Sequence, residues 1–475
     1  MQIADVLKLA RAGATNRAWR AFIESGLGDG VSDPRTLTLK GRLLKDQARK
    51  AKGDAAALLY LQSAKAYADA AALKPDSYPL INAATMSLFA RQPDVMAMMA
   101  QKVLTMLDTG MGVGETPYWH EATRAEALLL LGQRDNAQAA LEKAIVAAPA
   151  AWEDRAATLR QFRQILKFKG ETSDWLSKYA PPASLYFKGI IGVASDDLRA
   201  AELAREGVNN AHAGFGYGAL AAGADILIAE ALVECGAELH FVLPMSTREF
   251  RAQSVAPFGA SWLPRFDRLI EQAASVTHVA SDEILTDAAI ILAAMVAKGA
   301  AIENAGRLEG AATGLEMNDG PSEEFDAASD RFVALERTAA TDPSTLAKGM
   351  INIALVSDRS GDGLAGWSPI GEGFYARHAG SVAAALVQLA NLRKVAPDAR
   401  VALRISTSDA PADFTGDYSA NLLRLVQCAD AGTTIADAIS ARALLPVTPE
   451  LRTEPLGELP YASGVVEIYA IDPVA

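Results

Sequence analysis

The 475-residue sequence predicts a multidomain chain: an all-α helix array, then an α/β parallel sheet, then an α+β domain. Three observations predict it. Apolar residues recur at three- and four-residue spacing up to about residue 180, the period of amphipathic helices. Past Pro181-Pro182, short apolar runs alternate with helical patterns, as they do in a parallel sheet covered on both faces. From Gly349 onward, strand-like runs are split by helices in the manner of a ferredoxin-like sandwich.

The totals bound the function. A chain of this length holds about two to four domains. Half of the residues are hydrophobic, 21% are charged and the net charge is −12. With a pI of about 5.1, nucleic acid and anionic membrane are not the expected partners. Cys235 and Cys428 lie far apart without metal-type spacing and read as buried thiols of a reducing compartment. The N-terminus does not read as a signal peptide, and no run of about 18 apolar residues suggests a membrane span. The expected location is cytoplasmic.

Residues 1–180 read as paired antiparallel helices of tetratricopeptide type, punctuated at Lys52-Gly53-Asp54, Lys74-Pro75-Asp76 and Leu131-Gly132-Gln133. The segment Ala122–Pro149 is the clearest unit. SYPLINAATMSLFA (Ser77–Ala90) and YWHEATRAEALLLLGQ (Tyr118–Gln133) resemble the helical repeats of the TRAFs-binding region, found in apoptosis-signal-regulating kinases and in many bacterial multidomain proteins. That resemblance implies a regulatory scaffold that binds a protein partner.

The second domain, residues 184–320, opens with the strand-like SLYFKGIIGVA. HAGFGYGALAAGADILIAEALVECGAELHFVLP (His212–Pro244) follows and reads as a glycine loop, a buried helix, a turn and a buried strand. Glycines ahead of a helix let backbone N–H groups approach an anion, which the helix dipole favours. The candidate ligand-binding residues are Gly189, Gly214, Gly216, Tyr217, Gly218, Gly223, Pro244 and Arg248, with Arg251 as a second neutralising charge. Asp225 and Glu230, on the helix after the loop, either meet a ribose or serve that helix structurally. They are also the only candidates for catalytic groups.

GYGALAAGADILIAEAL, the VLP strand ending, Ser254-Val255, Trp262 and Arg265-Phe266 resemble the SLOG superfamily of Rossmann-like domains, related to the DNA-uptake protein DprA and the LOG enzymes. The resemblance implies a nucleotide or nucleotide-derived ligand. The PGGxGTxxE motif of LOG hydrolases is absent, as is GxxxxGK[ST], and the spacing Gly214-x-Gly216-x-Gly218 followed by Gly223 is not GxGxxG. No cofactor is assigned.

The stretch from Glu303 to Asp342 reads as polar and irregular, and residues 321–345 as an acidic, solvated linker. Residues 346–475 then give the strand INIALVSD, a hairpin at GWSPIGEGFYARH, the helix SVAAALVQLANLRKV, the strand ARVALRIST, the helix YSANLLRLVQCA and the strand VVEIYAI. VALRIST, Arg424-Leu425, Ala429 and Gly432, and LGELPYASGVVEIYAI are similar to the second half of class III nucleotidyl cyclase domains.

Active cyclases need two metal-binding aspartates. Here the hairpin reads Gly371-Glu372-Gly373, the segment from Asp358 to Glu372 is short, and Ala420 stands four residues before Arg424 where asparagine is expected, with Asn421 one position off. The resemblance therefore implies a degenerate module without cyclase activity, and pairing of such modules implies a homodimer. The five histidines, among them His212, show no HxxxH or HExxH spacing, so no metal site is assigned.

The sequence thus supports a regulatory protein that binds a nucleotide-derived ligand. Two alternatives stand beside it: a nucleotide or NAD-like hydrolase at the same site, and a structural adaptor whose glycines only pack tightly.

Overall fold

The fold is described from a computed structural model over residues 3–11, 15–28, 33–110, 116–280, 283–322, 326, 328–337, 346–359, 366–408, 414–461 and 464–472. The chain divides into two compact units, Met1–Pro181 and Pro182–Ala475.

The first unit is helical: α1 (Ile3–Arg11), α2 (Thr15–Glu24), α3 (Pro34–Lys50), α4 (Gly53–Leu73) and α5 (Ser77–Phe89). It continues with α6 (Pro93–Thr109), α7 (Pro117–Leu130), α8 (Arg134–Ala147) and α9 (Trp152–Lys169). Local chemistry sets the boundaries. The carboxylates of Asp33 and Asp76 and the Thr116 hydroxyl cap α3, α5 and α7, and proline opens α3, α6 and α7. Gly110 and Gly170 end α6 and α9 in the left-handed conformation.

Consecutive helices pack on one another from α3 to α8. At Gly41 the Tyr67 ring lies 2.8 Å from where a Cβ would stand, so α3 and α4 approach closely. Polar side chains link alternate helices: Lys45 of α3 donates to Asn82 of α5 (3.0 Å), and Glu126 of α7 accepts from Thr85 of α5 (2.5 Å) and Gln161 of α9 (3.1 Å). Burial pushes the Lys45 amine down to about 7 and the Glu126 carboxyl up.

The second unit begins with β1 (Ala183–Gly189), α10 (Leu198–Asn210), β2 (Ala213–Gly218), α11 (Ala224–Glu234) and β3 (Glu238–Leu243). Next come α12 (Thr247–Ser254), α13 (Trp262–Gln272), β4 (Ser275–His278), α14 (Asp287–Leu308), β5 (Ala312–Asn318) and β6 (Asp330–Ala334). Their strands form one sheet in the order β4-β3-β2-β1-β5-β6, with every pair parallel.

The remainder supplies β7 (Met350–Ser357), β8 (Ser368–Gly371), β9 (Phe374–Ala379), α15 (Val382–Val395), β10 (Val401–Ser408) and α16 (Gly416–Gln427). It closes with β11 (Thr434–Asp437), α17 (Ala438–Leu444), β12 (Arg452–Tyr461) and β13 (Gly464–Asp472). The second sheet is mixed, in the order β12-β13-β11-β10-β7-β9-β8, and within it β10 and β11 are parallel.

Helix α14 packs against both sheets. It is long and apolar enough for a membrane span, yet 56% of its apolar window is buried inside the protein. Asn304 donates to Ser184 of β1 (3.0 Å) and Lys298 pairs with Asp330 of β6 (2.8 Å). On the other side Glu303 pairs with Arg442 of α17 (2.8 Å), and a Cβ on Gly299 would lie 1.8 Å from the Arg442 carbonyl oxygen. A helix buried on two faces is apolar all round.

Four expectations are corrected. Cys235 and Cys428, expected to be buried, are both exposed, each standing just past the last turn of its helix. The stretch Gly214-x-Gly216-x-Gly218 is strand β2 and not a loop. The stretch from Glu303 is not irregular throughout, because α14 runs on to Leu308 and β5 follows. Asp330–Ala334, read as part of the solvated linker, is β6. Linker residues 323–325, 327 and 338–345 lie outside the described residues.

Candidate ligand-binding site

In the parallel sheet the chain runs outward from β1 through β2, β3 and β4, then returns to place β5 on the other side of β1. The direction of winding therefore reverses between β1 and β5, and crevices that take ligands form outside the carboxyl ends of strands at such a reversal. The loop that follows β1, Gly189–Asp197, lies at that end of the sheet.

This loop is held at several points. The Gly189 N–H donates to Asp225 Oδ1 (2.6 Å), and the Ala221 N–H donates to the other oxygen of the same carboxylate (3.1 Å). The Ala224 N–H donates to the Ile190 carbonyl (3.0 Å), so that carbonyl occupies the N-terminus of α11. Gly223 makes this possible: its φ is +121°, and a Cβ would lie 2.5 Å from the Ile190 oxygen. Further along, Arg265 donates to the Ser195 carbonyl (2.8 Å), and the Ser261 and Ser195 hydroxyls are 2.8 Å apart. Gly192 supplies a bend at φ +83°.

Asp225 is 5% exposed. Desolvation pushes its carboxyl up to about 7, against the two backbone N–H donors and the Lys188 ammonium, which act the other way. Glu230 is saturated by cations: Arg265 grips both of its oxygens, and Arg268 donates to one of them (2.6 Å). The Arg265 guanidinium also lies 4.3 Å over the Trp262 ring. Through Arg265, Glu230 thus bears on the β1 loop and not on open solvent.

The other candidates are dispersed. The cradle expected from Gly214, Gly216 and Gly218 is replaced by tight packing. A Cβ there would lie 2.5 Å from Pro182, 2.4 Å from Leu232 and 2.6 Å from the Phe187 ring. Tyr217 points the other way, its ring stacked on His240 at 4.7 Å. Pro244 follows β3, and the largely exposed Arg248 pairs with its neighbour Glu249 (2.6 Å). Arg251 is held by Asp267 through two hydrogen bonds (2.7 and 2.8 Å). His212 is an exposed turn residue at φ +48°. The structure therefore brings Gly189, Gly223 and Asp225 together and separates the rest. Gly192, Ser195 and Ser261 were missed; the signal was Gly189-x-x-Gly192 directly after a buried strand.

In the second sheet Asp358 accepts from the Arg400 N–H (2.8 Å) and Nε (2.9 Å). Glu372 sits in the β8–β9 turn at φ +52° and accepts from Gln427 (2.8 Å). Arg424, exposed on α16, donates to the Pro460 carbonyl (3.3 Å). Among the described residues no group of three or more His, Cys, Asp or Glu is arranged to hold a metal.

No curated protein matches the chain. Residues 2–87 match the family described as Tetratricopeptide Repeats-Sensor, a match that spans α1 to α4 and most of α5. Repeats of this type stack into scaffolds with extended binding surfaces. The match covers the first half of the helical unit, and repeats of this type suggest a protein-interaction or regulatory role.

Proposed function

We propose that the chain is a regulatory protein in which a Rossmann-like, SLOG-like sheet binds a nucleotide-derived small molecule and the repeat unit engages a protein partner. The observation that carries this reading is the β1 loop. It lies at the winding reversal, and Asp225, Arg265 and Ser261 fix it there. Preorganising a loop in this way lowers the cost of ordering it around a ligand. The second, cyclase-like sheet serves assembly, including homodimerisation, without cyclase activity. Asp358 and Glu372 are engaged by Arg400 and Gln427, and Ala420 has no polar side chain to offer.

A thermal-shift panel of nucleoside mono-, di- and triphosphates, NAD, ADP-ribose and cyclic nucleotides tests the ligand. A shift of a few degrees with one class is expected, and its loss in Gly192→Val and Ser195→Ala would locate it at the β1 loop. No shift with any of them removes the ligand from the reading.

The adaptor alternative draws on one specific observation, the three filled glycine positions of β2. The hydrolase alternative draws on none, because Asp225 and Glu230 are both committed to holding the loop.

A further inference from the structure

The helices that leave the carboxyl ends of the parallel strands decide which part of a ligand the β1-loop site can take. In a sheet of this kind a phosphate is ordinarily held at a helix N-terminus, where N–H groups and the helix dipole favour an anion. Here α10, α11, α12 and α14 follow β1, β2, β3 and β4 in turn, so all four begin at that edge. Each brings a carboxylate of its own. Asp197 caps α10, and Asp225, Glu249 and Asp287 lie in the first turns of α11, α12 and α14. The positive ends of these four dipoles are thus met from within the chain.

The N–H groups are engaged as well. The Ala200 N–H donates to the Asp197 carboxylate (2.9 Å), and the Ala288 N–H donates to that of Asp287 (2.9 Å). Hydroxyls of Ser246 and Thr286 accept from the N–H groups of Glu249 (3.3 Å) and Ala289 (3.1 Å). The start of α11 is closed outright. Its Ala224 N–H donates to the Ile190 carbonyl, Gly223 bridges to Ile191, and a Cβ on Gly189 would lie 2.5 Å from the Asp225 nitrogen. The end of β1 therefore covers the amides that a phosphate would need.

The cations of this edge follow the same pattern. Arg265 and Arg268 hold Glu230, Arg251 holds Asp267, and Arg248 and Lys348 pair with Glu249 and Asp287. Lys188 acts on Asp225, and the exposed Arg199 comes just after Asp196 and Asp197. In a chain of net charge −12, a phosphate here would face carboxylates whose cations are already paired. What the β1 loop does offer is uncharged. The Ser261 hydroxyl donates to Ser195 (2.8 Å), which leaves the Ser195 proton and lone pairs on both oxygens for another partner. Neutral donors and acceptors of this kind match ribose hydroxyls or the edge of a base.

We infer that the β1-loop site holds the uncharged nucleoside part of its ligand, and that any phosphate points away from the sheet into solvent. This rests on the reading of the parallel sheet as the domain for a nucleotide-derived ligand, and it names the part of that ligand which is recognised.

The test is calorimetric titration of the intact protein with adenosine, guanosine, cytidine and uridine and with their mono-, di- and triphosphates, at low and high salt. For the base that binds, the nucleoside should bind at least as tightly as its phosphates, and added salt should not weaken it. Ser195→Ala should weaken the nucleoside and its monophosphate by the same factor, about threefold or more. Affinity that rises about tenfold or more with phosphate and falls with salt overturns the inference while the ligand reading stands. Binding that Ser195→Ala leaves unchanged overturns it too. No binding by any member removes the ligand itself, and the inference with it.

Discussion

Replacing Asp225 by asparagine tests whether burial or hydrogen bonding governs the centre of the candidate site. The carboxylate is 5% exposed and accepts from two backbone N–H groups, at 2.6 and 3.1 Å. Burial favours the neutral acid and the two donors favour the anion, so the two effects oppose each other. Burial wins, and the group titrates at about 7 instead of 3.8. Between those values the folded protein keeps a proton that the unfolded chain releases. The stabilisation from neutral Asp225 is thus fully present below about pH 4 and is lost as pH rises through 7. At about 1.4 kcal/mol per pH unit, the whole gap is worth about 4 kcal/mol.

The amide in the Asp225→Asn variant would carry no such proton. Its NH2 group would face one of the two N–H donors, a pH-independent penalty of about 1–3 kcal/mol. The wild type is therefore expected to exceed Asp225→Asn in stability most at pH 4, with the margin shrinking by about 4 kcal/mol by pH 8 and even changing sign. Hydrogen exchange followed by mass spectrometry, on peptides covering residues 183–235, reads this region separately from the repeat unit. A margin that stays constant, or grows with pH, would mean that the two N–H donors hold the anion and that the desolvation argument is wrong.

Two further substitutions test the packing. Gly216→Ala would place a methyl 2.4 Å from Leu232 Cδ1, so an overpacking cost of about 1–3 kcal/mol is expected in urea unfolding. Any ligand-induced thermal shift should survive unchanged; its disappearance would return Gly216 to the ligand site. Gly299→Ala would ordinarily favour a helix by about 1 kcal/mol. Here the Arg442 carbonyl, 1.8 Å from the new Cβ, should reverse the sign, and calorimetry should show a lowered or split transition for the second unit. A raised melting temperature would refute the close crossing.

How much was legible follows from which forces are local. The helices of the first unit were readable because a 3.6-residue period and cap residues such as Asp33 and Asp76 lie within the helix itself. The buried strands β1, β3, β7 and β10 announced themselves as short apolar runs. Strand β2 did not, because glycine suggests a turn. Its period of two was nevertheless that of a strand, and each glycine marks where Pro182, Leu232 or Phe187 presses in. β6 and β12, with mostly half-buried or exposed residues, carried no comparable signal. The C-terminal turns of α14 looked irregular because Glu303 and Asn304 are polar. Their partners, Arg442 and Ser184, are 139 and 120 residues away in sequence. Asp225 posed the same difficulty. In sequence it was open between a ribose contact and a structural role, and the partners that engage it, the Gly189 and Ala221 N–H groups, are brought to it by the topology.

Helix α14 makes the second unit more than two domains in series. It leaves the parallel sheet after β4, so its first turn lies at the same edge as the β1 loop. There Asp287 pairs with Lys348 (2.8 Å) and accepts from the Gly349 N–H (2.9 Å), while Thr286 bridges to Ala347. Gly349 has no room for a side chain against the Thr286 hydroxyl, 2.8 Å from where its Cβ would stand. The residues that lead into β7, an interior strand of the second sheet, are therefore fastened to the carboxyl edge of the first. Further along, the Gly299 and Glu303 contacts clamp the same helix onto α17. Neither sheet can shift along α14 without breaking one of these contacts. Both sheets are thereby held to one helix, by contacts at its first turn and farther along its length.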